Sequence, residues 1–209
     1  MSKKTMKTSR TLIIVESPNK AKAVSRYARE VLEGDVSVYA CLGHLRDLPC
    51  EKLGVDVTRG FRPEYQVVPG RRKTVEMLRQ AIRKADRVLL ATDPDREGEA
   101  VAWHVTKVFE EELEGKDVFV VDFHAITRVA VQAGLRRPRP LDKRLVKAAV
   151  ARRVMDRLVG YIVSPRLWAA VNGRDLSAGR VQTVALGFLI DHERKRMASS
   201  DSWKVTVEL

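Results

Sequence analysis

The sequence predicts an α/β fold, a mostly parallel sheet flanked by helices, followed by a partial all-helical domain. Three observations carry that expectation. From residue 11 to about 135, short apolar runs alternate with longer helical stretches, the signature of βαβ units. The first run, Leu12, Ile13, Ile14 and Val15, is continuous and reads as a buried strand. Beyond residue 142 the apolar residues change to helical spacing and stay there.

The elements follow in order. The predicted strands are Thr11–Glu16, Val36–Ala40, Arg87–Thr92 and Val118–Asp122. The predicted helices between them are Pro18–Leu32, Lys73–Lys84, Glu97–Leu113 and Arg128–Leu135. Residues 43–71, rich in Gly, Pro and charge, form a long excursion from the sheet, and such loops are usually functional or disordered. "RRPRPLD" (136–142) breaks any regular pattern and marks a boundary. Leu145, Ala148, Ala151, Met155, Leu158 and Ile162 then keep a helical spacing. A second helix is expected from Ala178 to about Arg196, capped by Ser177, and "SWKVTVEL" alternates like a strand with no partner. The expected domains are a basic disordered tail over 1–10, an α/β domain over 11–140 and a partial helical domain over 141–209. Because the last element lacks a partner, the chain is expected to be a fragment.

Charge narrows the function. The 209 residues carry a net charge of +12, unevenly spread. Residues 11–135 hold 19 basic and 20 acidic groups, whereas 136–209 hold 16 basic and 7 acidic ones. A near-neutral body with a basic C-terminal third points to a polyanionic partner, most simply nucleic acid, with a merely solubilising surface as the alternative. No apolar run approaches the roughly 20 residues that cross a bilayer, so no membrane role is expected. Cys41 and Cys50 have no CxxC spacing or histidine cluster and read as reduced thiols of a cytoplasmic protein.

"RVLLATDPDREGEAVAWHV" is the most informative stretch. An apolar strand runs out at Thr92, and Asp93, Asp95 and Glu97 follow at alternate positions, which in extended backbone point to one side. Carboxylates crowded at the carboxyl end of a strand repel one another, and a hard divalent cation such as Mg²⁺ relieves that repulsion. The alternative is a helix N-terminus whose acids complement the dipole. That accounts for Glu97 and Glu99 but not for Asp-Pro-Asp directly after a buried strand. Glu16 holds the matching position on the first strand and would meet Asp93 if the two strands are parallel neighbours. Lys20, one turn into the next helix, could hold a phosphate beside them, or be a solvated surface lysine.

Here a resemblance becomes specific. "VESPNKAK", "GHLRDLP" and "ATDPDREGEAVAWH" resemble the Toprim domain of type IA DNA topoisomerases. "ARRVMDRLVGYIVSPRLW" and "LSAGRVQTVAL" resemble the helical segment that follows it in bacterial topoisomerase I. The similarity covers about residues 11–209.

The resemblance implies an enzyme that relaxes negatively supercoiled DNA through a 5′-phosphotyrosine and strand passage. It implies Glu16 as the acid–base residue for the leaving 3′-oxygen and Lys20 as the stabiliser of the scissile phosphate. Asp93 and Asp95, with Glu16 and Glu97 nearby, would hold Mg²⁺. His44 would contact DNA; without the resemblance it reads as a structural histidine. Arg152, Arg153 and Asp156 would lie along a single strand, where the residues alone suggest an exposed Arg152–Asp156 pair. Tyr161 and Trp168 either stack on bases or pack in the helical core. Ser177, Ala178, Gly179, Arg180, Val181 and Gln182 would supply a helix start, close backbone approach and a phosphate contact.

Two departures stand out. Asp175 replaces a glycine common in the family. None of the four tyrosines (Tyr27, Tyr39, Tyr65, Tyr161) has the setting of the family's nucleophile, which lies in a gate domain beyond this chain. The chain is therefore expected to be inactive alone, with single-stranded or negatively supercoiled DNA as partner and a cytoplasmic, nucleoid-associated location. A stand-alone Toprim nuclease or hydrolase and a non-catalytic nucleic-acid-binding module are the alternatives.

Overall fold

The computed structural model describes residues 9–171, 173 and 176–198. The basic tail before residue 9, Asp175 and the strand expected at 202–209 lie outside the described residues. The chain divides into two compact units between Arg152 and Arg153.

The first unit is built on four parallel strands in the order β2 (Asp35–Ala40), β1 (Arg10–Val15), β7 (Arg87–Ala91) and β8 (Asp117–Val120). β1 is central and apolar on both faces, because helices cover both. Ile13 and Val15 pack with Leu89 and Ala91 against Val24 and Ala28 of helix α1 (Pro18–Ala28) and Val131 and Leu135 of α4 (Arg128–Leu135). Leu12 and Ile14, one residue out of phase, pack with Val88 and Leu90 against Val75, Leu78 and Ile82 of α2 (Arg72–Lys84). Val101 and Val105 of α3 (Arg96–Val108), with Phe109 at its C-cap, complete that layer. Leu12 through Val15 are fully buried, and truncating any one to alanine should cost about 2–5 kcal/mol.

The four strands and four helices expected between residues 11 and 135 are present with small shifts at their ends. α1 stops at Ala28 rather than Leu32, and α3 at Val108 rather than Leu113. The excursion after β2 carries two miniature antiparallel ladders. β3 (Arg46–Asp47) pairs with β6 (Gln66–Val67), and β4 (Val55–Asp56) with β5 (Arg62–Pro63).

Helix α5 (Lys143–Val171) begins in the first unit and runs into the second, with Pro165 inside it. In the second unit α6 (Arg180–Ala198) buries none of its residues. It starts two residues later than expected, and Ser177 is used differently. The Ser177 hydroxyl accepts from Gln182 Nε2 at 2.8 Å, while Thr183 N donates to Gly179 O at 3.0 Å.

Candidate active site

The chain leaves β1 for β2 on one side and later returns to place β7 on the other side of β1. The gap between β1 and β7 is thus the topological switch point, where open α/β sheets bind ligands at the carboxyl ends of their strands. Glu16 follows the last residue of β1, and Asp93 lies two residues past the end of β7.

Local chemistry sets both carboxylates there. Ser17 caps α1, its hydroxyl accepting from Lys20 N at 3.3 Å, and Pro18 occupies the first turn, where its missing N–H costs nothing. This fixes Lys20 one turn above Glu16. Lys20 Nζ donates to Glu16 Oε2 at 3.3 Å and to Asp93 Oδ1 in a shorter contact. The second oxygen of Glu16 accepts from the Asp93 backbone N–H at 3.1 Å. Burial pulls the Lys20 ammonium down, but the hydrogen bonds and charges of Asp93 and Glu16 outweigh it and its pKa is raised. The Lys20 hydrogen bond in turn holds the Asp93 carboxyl below its ordinary value.

The alternation of Asp93, Asp95 and Glu97 is not carried by strand backbone, because β7 has ended at Ala91. Asp95 is the cap of α3, its Oδ1 accepting from Gly98 N at 2.8 Å, and Glu97 stands exposed in the first helical turn with Arg96 Nε 3.9 Å away. A tight turn, with Asp95 N donating to Asp93 O at 2.8 Å, joins the two aspartates. Gly98 is required by space: a Cβ there would lie 2.0 Å from Asp93 O. The structure thus brings Glu16, Lys20 and Asp93 into direct contact, and sets Asp95 and Glu97 on the adjoining turn. Among the described residues, no three His, Cys, Asp or Glu side chains are spaced to hold a metal.

His44 is exposed on the turn after β2, where Leu42 (φ 62°) and Gly43 (φ 84°) are both left-handed, and its ring meets His104 edge-on at 5.2 Å. In the second unit, Arg180 Nε donates to Asp156 Oδ1 at 2.8 Å, Ala178 N to Ser164 Oγ at 2.9 Å, and Trp168 Nε1 to Leu176 O. These bonds tie Ser177–Gln182 to α5. Tyr161 lies under the Arg157 guanidinium, 5.6 Å from its centre. Arg152 belongs to the first unit and Arg153 to the second.

Sequence reasoning missed a buried ion network beside this site. Glu99, 1% exposed, receives Arg139 Nη1 and Nη2 at 2.9 and 2.7 Å, and Arg139 Nη2 also donates to Asp122 Oδ1 at 2.8 Å. These bonds raise the Arg139 pKa further. Arg139 also exchanges backbone hydrogen bonds with Val120 at the end of β8, so the segment 136–142 is stitched to the sheet. A cleft of about 660 Å³ opens there, lined by Pro94, Asp122, His124, Arg139 and the start of α5. No local signal marks the network, because Glu99 stands in the first turn of α3, where a carboxylate is expected.

Comparison with known proteins gives two adjoining family matches. The Toprim domain matches residues 11–126, and the DNA topoisomerase domain matches residues 140–209. Full-length topoisomerase I from Thermotoga maritima is similar in structure, with a TM-score of 0.74 and 41% sequence identity over 90% of this chain. This chain spans 31% of the length of that protein. A putative pilus assembly-related protein from Burkholderia pseudomallei shares 11% identity over 71% of this chain and 90% of its own. Its TM-score of 0.28 carries no argument.

Proposed function

The chain belongs to the Toprim family, in its type IA DNA topoisomerase branch, and from that premise we propose that it supplies the acid–base and phosphate-holding part of DNA relaxation. The observation that carries the reading is the meeting of Glu16, Lys20 and Asp93 at the switch point of the sheet. Glu16 is the group that moves a proton to and from the departing 3′-oxygen, with one of its oxygens held by the Asp93 amide. Lys20, with its charge secured by two carboxylates, faces the charge on the scissile phosphate.

Toprim domains bind divalent metal ions. Asp93 and Asp95 would hold Mg²⁺, with Glu16 and Glu97 beside them. The chemistry of these donors suits such an ion, since all four are carboxylates with hard oxygens and Asp93 is half exposed, although the four are not drawn together around one point. When bound, the ion supplies positive charge against phosphoryl oxygens as negative charge develops. Arg152, Arg153, Asp156, Tyr161, Trp168 and Ser177–Gln182 belong to the DNA half of the proposal, in which a negatively supercoiled or single-stranded segment runs along the basic C-terminal third. A cytoplasmic, nucleoid-associated location goes with such a substrate.

The chain is proposed to be inactive in relaxation by itself. Tyr27 and Tyr39 pack against the core, Tyr65 stands edge-on to Trp103, and Tyr161 lies under Arg157, so each tyrosine already has a packing role.

Calorimetric titration with Mg²⁺ tests the metal assignment. Asp93→Ala combined with Asp95→Ala should weaken binding at least tenfold, and an unchanged affinity would sink it. A supercoil-relaxation assay on the 209-residue chain should show no activity. Metal-dependent cutting of DNA that disappears in Glu16→Gln would instead favour a stand-alone nuclease.

A further inference from the structure

The acidic site has a counterpart of opposite charge on the excursion after β2. Arg46, in β3, is partly buried and held on three sides. Its Nε donates to His104 Nδ1 at 2.7 Å. Its guanidinium carbon lies 4.6 Å from the centre of the Trp103 ring and 5.0 Å from that of Tyr65. No carboxylate of the described residues lies within ion-pair distance of it. Burying a cation partly without an acid in direct contact is costly, and burial lowers the Arg46 pKa against the opposing pull of Tyr65 and of the more distant Glu110. Arg79 and Arg139, also partly buried in the first unit, answer that cost with an acid, Glu112 and Glu99 respectively.

The surroundings of Arg46 serve to fix its plane. His104 is 4% exposed, and burial together with the nearby Arg46 charge pushes its pKa down to about 3. It therefore stays neutral and accepts at Nδ1, which assigns its proton to Nε2. Trp103 and Tyr65 spend ring surface on the guanidinium itself, which argues against their being a platform for bases. The Nη groups donate to no protein partner among the described residues, and they are not among the sealed-off donors that lack one. A guanidinium fixed through Nε and its faces, with its outer N–H groups open, is preorganised for a two-pronged anion. Exposed His44 stands beside it, edge-on to the same His104.

We propose that Arg46, with His44 beside it, is a phosphate-binding subsite for the backbone of a DNA single strand, kept in shape by His104, Trp103 and Tyr65. His104 lies nine residues along α3 from Asp95, about 13 Å at helical rise, so the phosphate held is another than the reacting one. The assignment of the strand rests on the topoisomerase reading above; the anion site rests on the geometry of Arg46.

The test uses the whole 209-residue chain and fluorescent oligo(dT), with anisotropy measured over a salt series. Arg46→Met should weaken binding about tenfold and flatten the log–log salt slope by about 0.7, the value for one phosphate contact on a single strand. His104→Phe should weaken binding with the slope unchanged, because the charge remains and only its placement is lost. Equal affinity and slope for Arg46→Met would overturn the subsite while leaving the topoisomerase reading in place. NMR of the Arg46 Nε–H signal in the unaltered chain guards against misfolded variants. The signal should shift on addition of the dinucleotide phosphodiester dTpdT. No shift with either dTpdT or inorganic phosphate overturns the anion site, and a shift with inorganic phosphate alone overturns the strand assignment. Failure of the unaltered chain to bind oligo(dT), with the dTpdT shift intact, would strike the DNA reading and spare the anion site.

Discussion

Arg139→Met should be among the most damaging single changes outside the apolar core. It leaves Glu99, 1% exposed, without the two hydrogen bonds that satisfy its carboxylate, and leaves only the Asp142 N–H on one oxygen. Removing one partner of a buried ion pair costs about 3–5 kcal/mol. The Arg139 side chain is itself 30% exposed, so water reaches the vacated space and the lower end applies, about 3 kcal/mol. That is a large part of the roughly 5–15 kcal/mol by which domains are stable. Hydrogen exchange at the Ile13 and Leu89 amides, in the buried strands, reads opening of the first unit without averaging over the second. It should accelerate roughly a hundredfold, matching about 3 kcal/mol. Glu99→Leu combined with Arg139→Met should recover at least half of the loss, since replacing both partners by apolar groups of similar shape is often nearly neutral. An acceleration below fivefold for Arg139→Met, or a double variant as unstable as the two single losses added, would refute the reasoning.

Two further outcomes follow from the acidic edge. Asp93 has its carboxyl held below the ordinary 3.8 by Lys20, so the pair's contribution is present above 3.8 and is lost as pH falls through the lowered value. Lys20 has its pKa raised above 10.5, so its share is present below 10.5 and is lost as pH rises through the raised value. Urea midpoints of the parent and Lys20→Met should therefore differ between these limits and converge in acid. The gap should be at most about 1 kcal/mol because the Asp93 side chain is half exposed and screened; a gap that persists below pH 2 would show that the pair is not its source. Asp95→Asn should keep the cap of α3 and lose only the charge, whereas Asp95→Ala should also lose about 1 kcal/mol of stability. Equal stability of the two variants in thermal melts would contradict the capping role.

The parallel sheet was legible because "LIIV" and "VLLA" are apolar at every position. Glu16 and Asp93 were legible as partners because the first directly ends such a run and the second follows one after a single threonine. Other features were hidden for identifiable reasons. A carboxylate in a first helical turn is explained by the dipole, so Glu99 gives no warning that it is buried, and its partner lies 40 residues away in a stretch that reads as a boundary. The spacing of Asp95 continues a strand pattern by two residues, but an aspartate followed by a helix competes as a cap, and here the cap wins. The ladders of the excursion are two residues long, too short to show a period. Arg46 stands within "GHLRDLP", where nothing local shows that its charge lacks an acid.

The acidic edge is also where the first unit is knitted together. Glu16 and Asp93 are 77 residues apart, and the bond between them exists only once β1 and β7 are paired. Asp95 starts α3, Gly98 lets α3 press against the Asp93 backbone, and Glu99, one residue on, anchors the segment leading into α5. Each position of "DPDREGE" that faces the site or the sheet therefore has a folding task as well as a chemical one. Lys20 reconciles the two. Without a cation between Glu16 and Asp93, pairing the strands would bring two carboxylates together uncompensated; with it, the charge that a phosphate would meet is already in place and held by the fold.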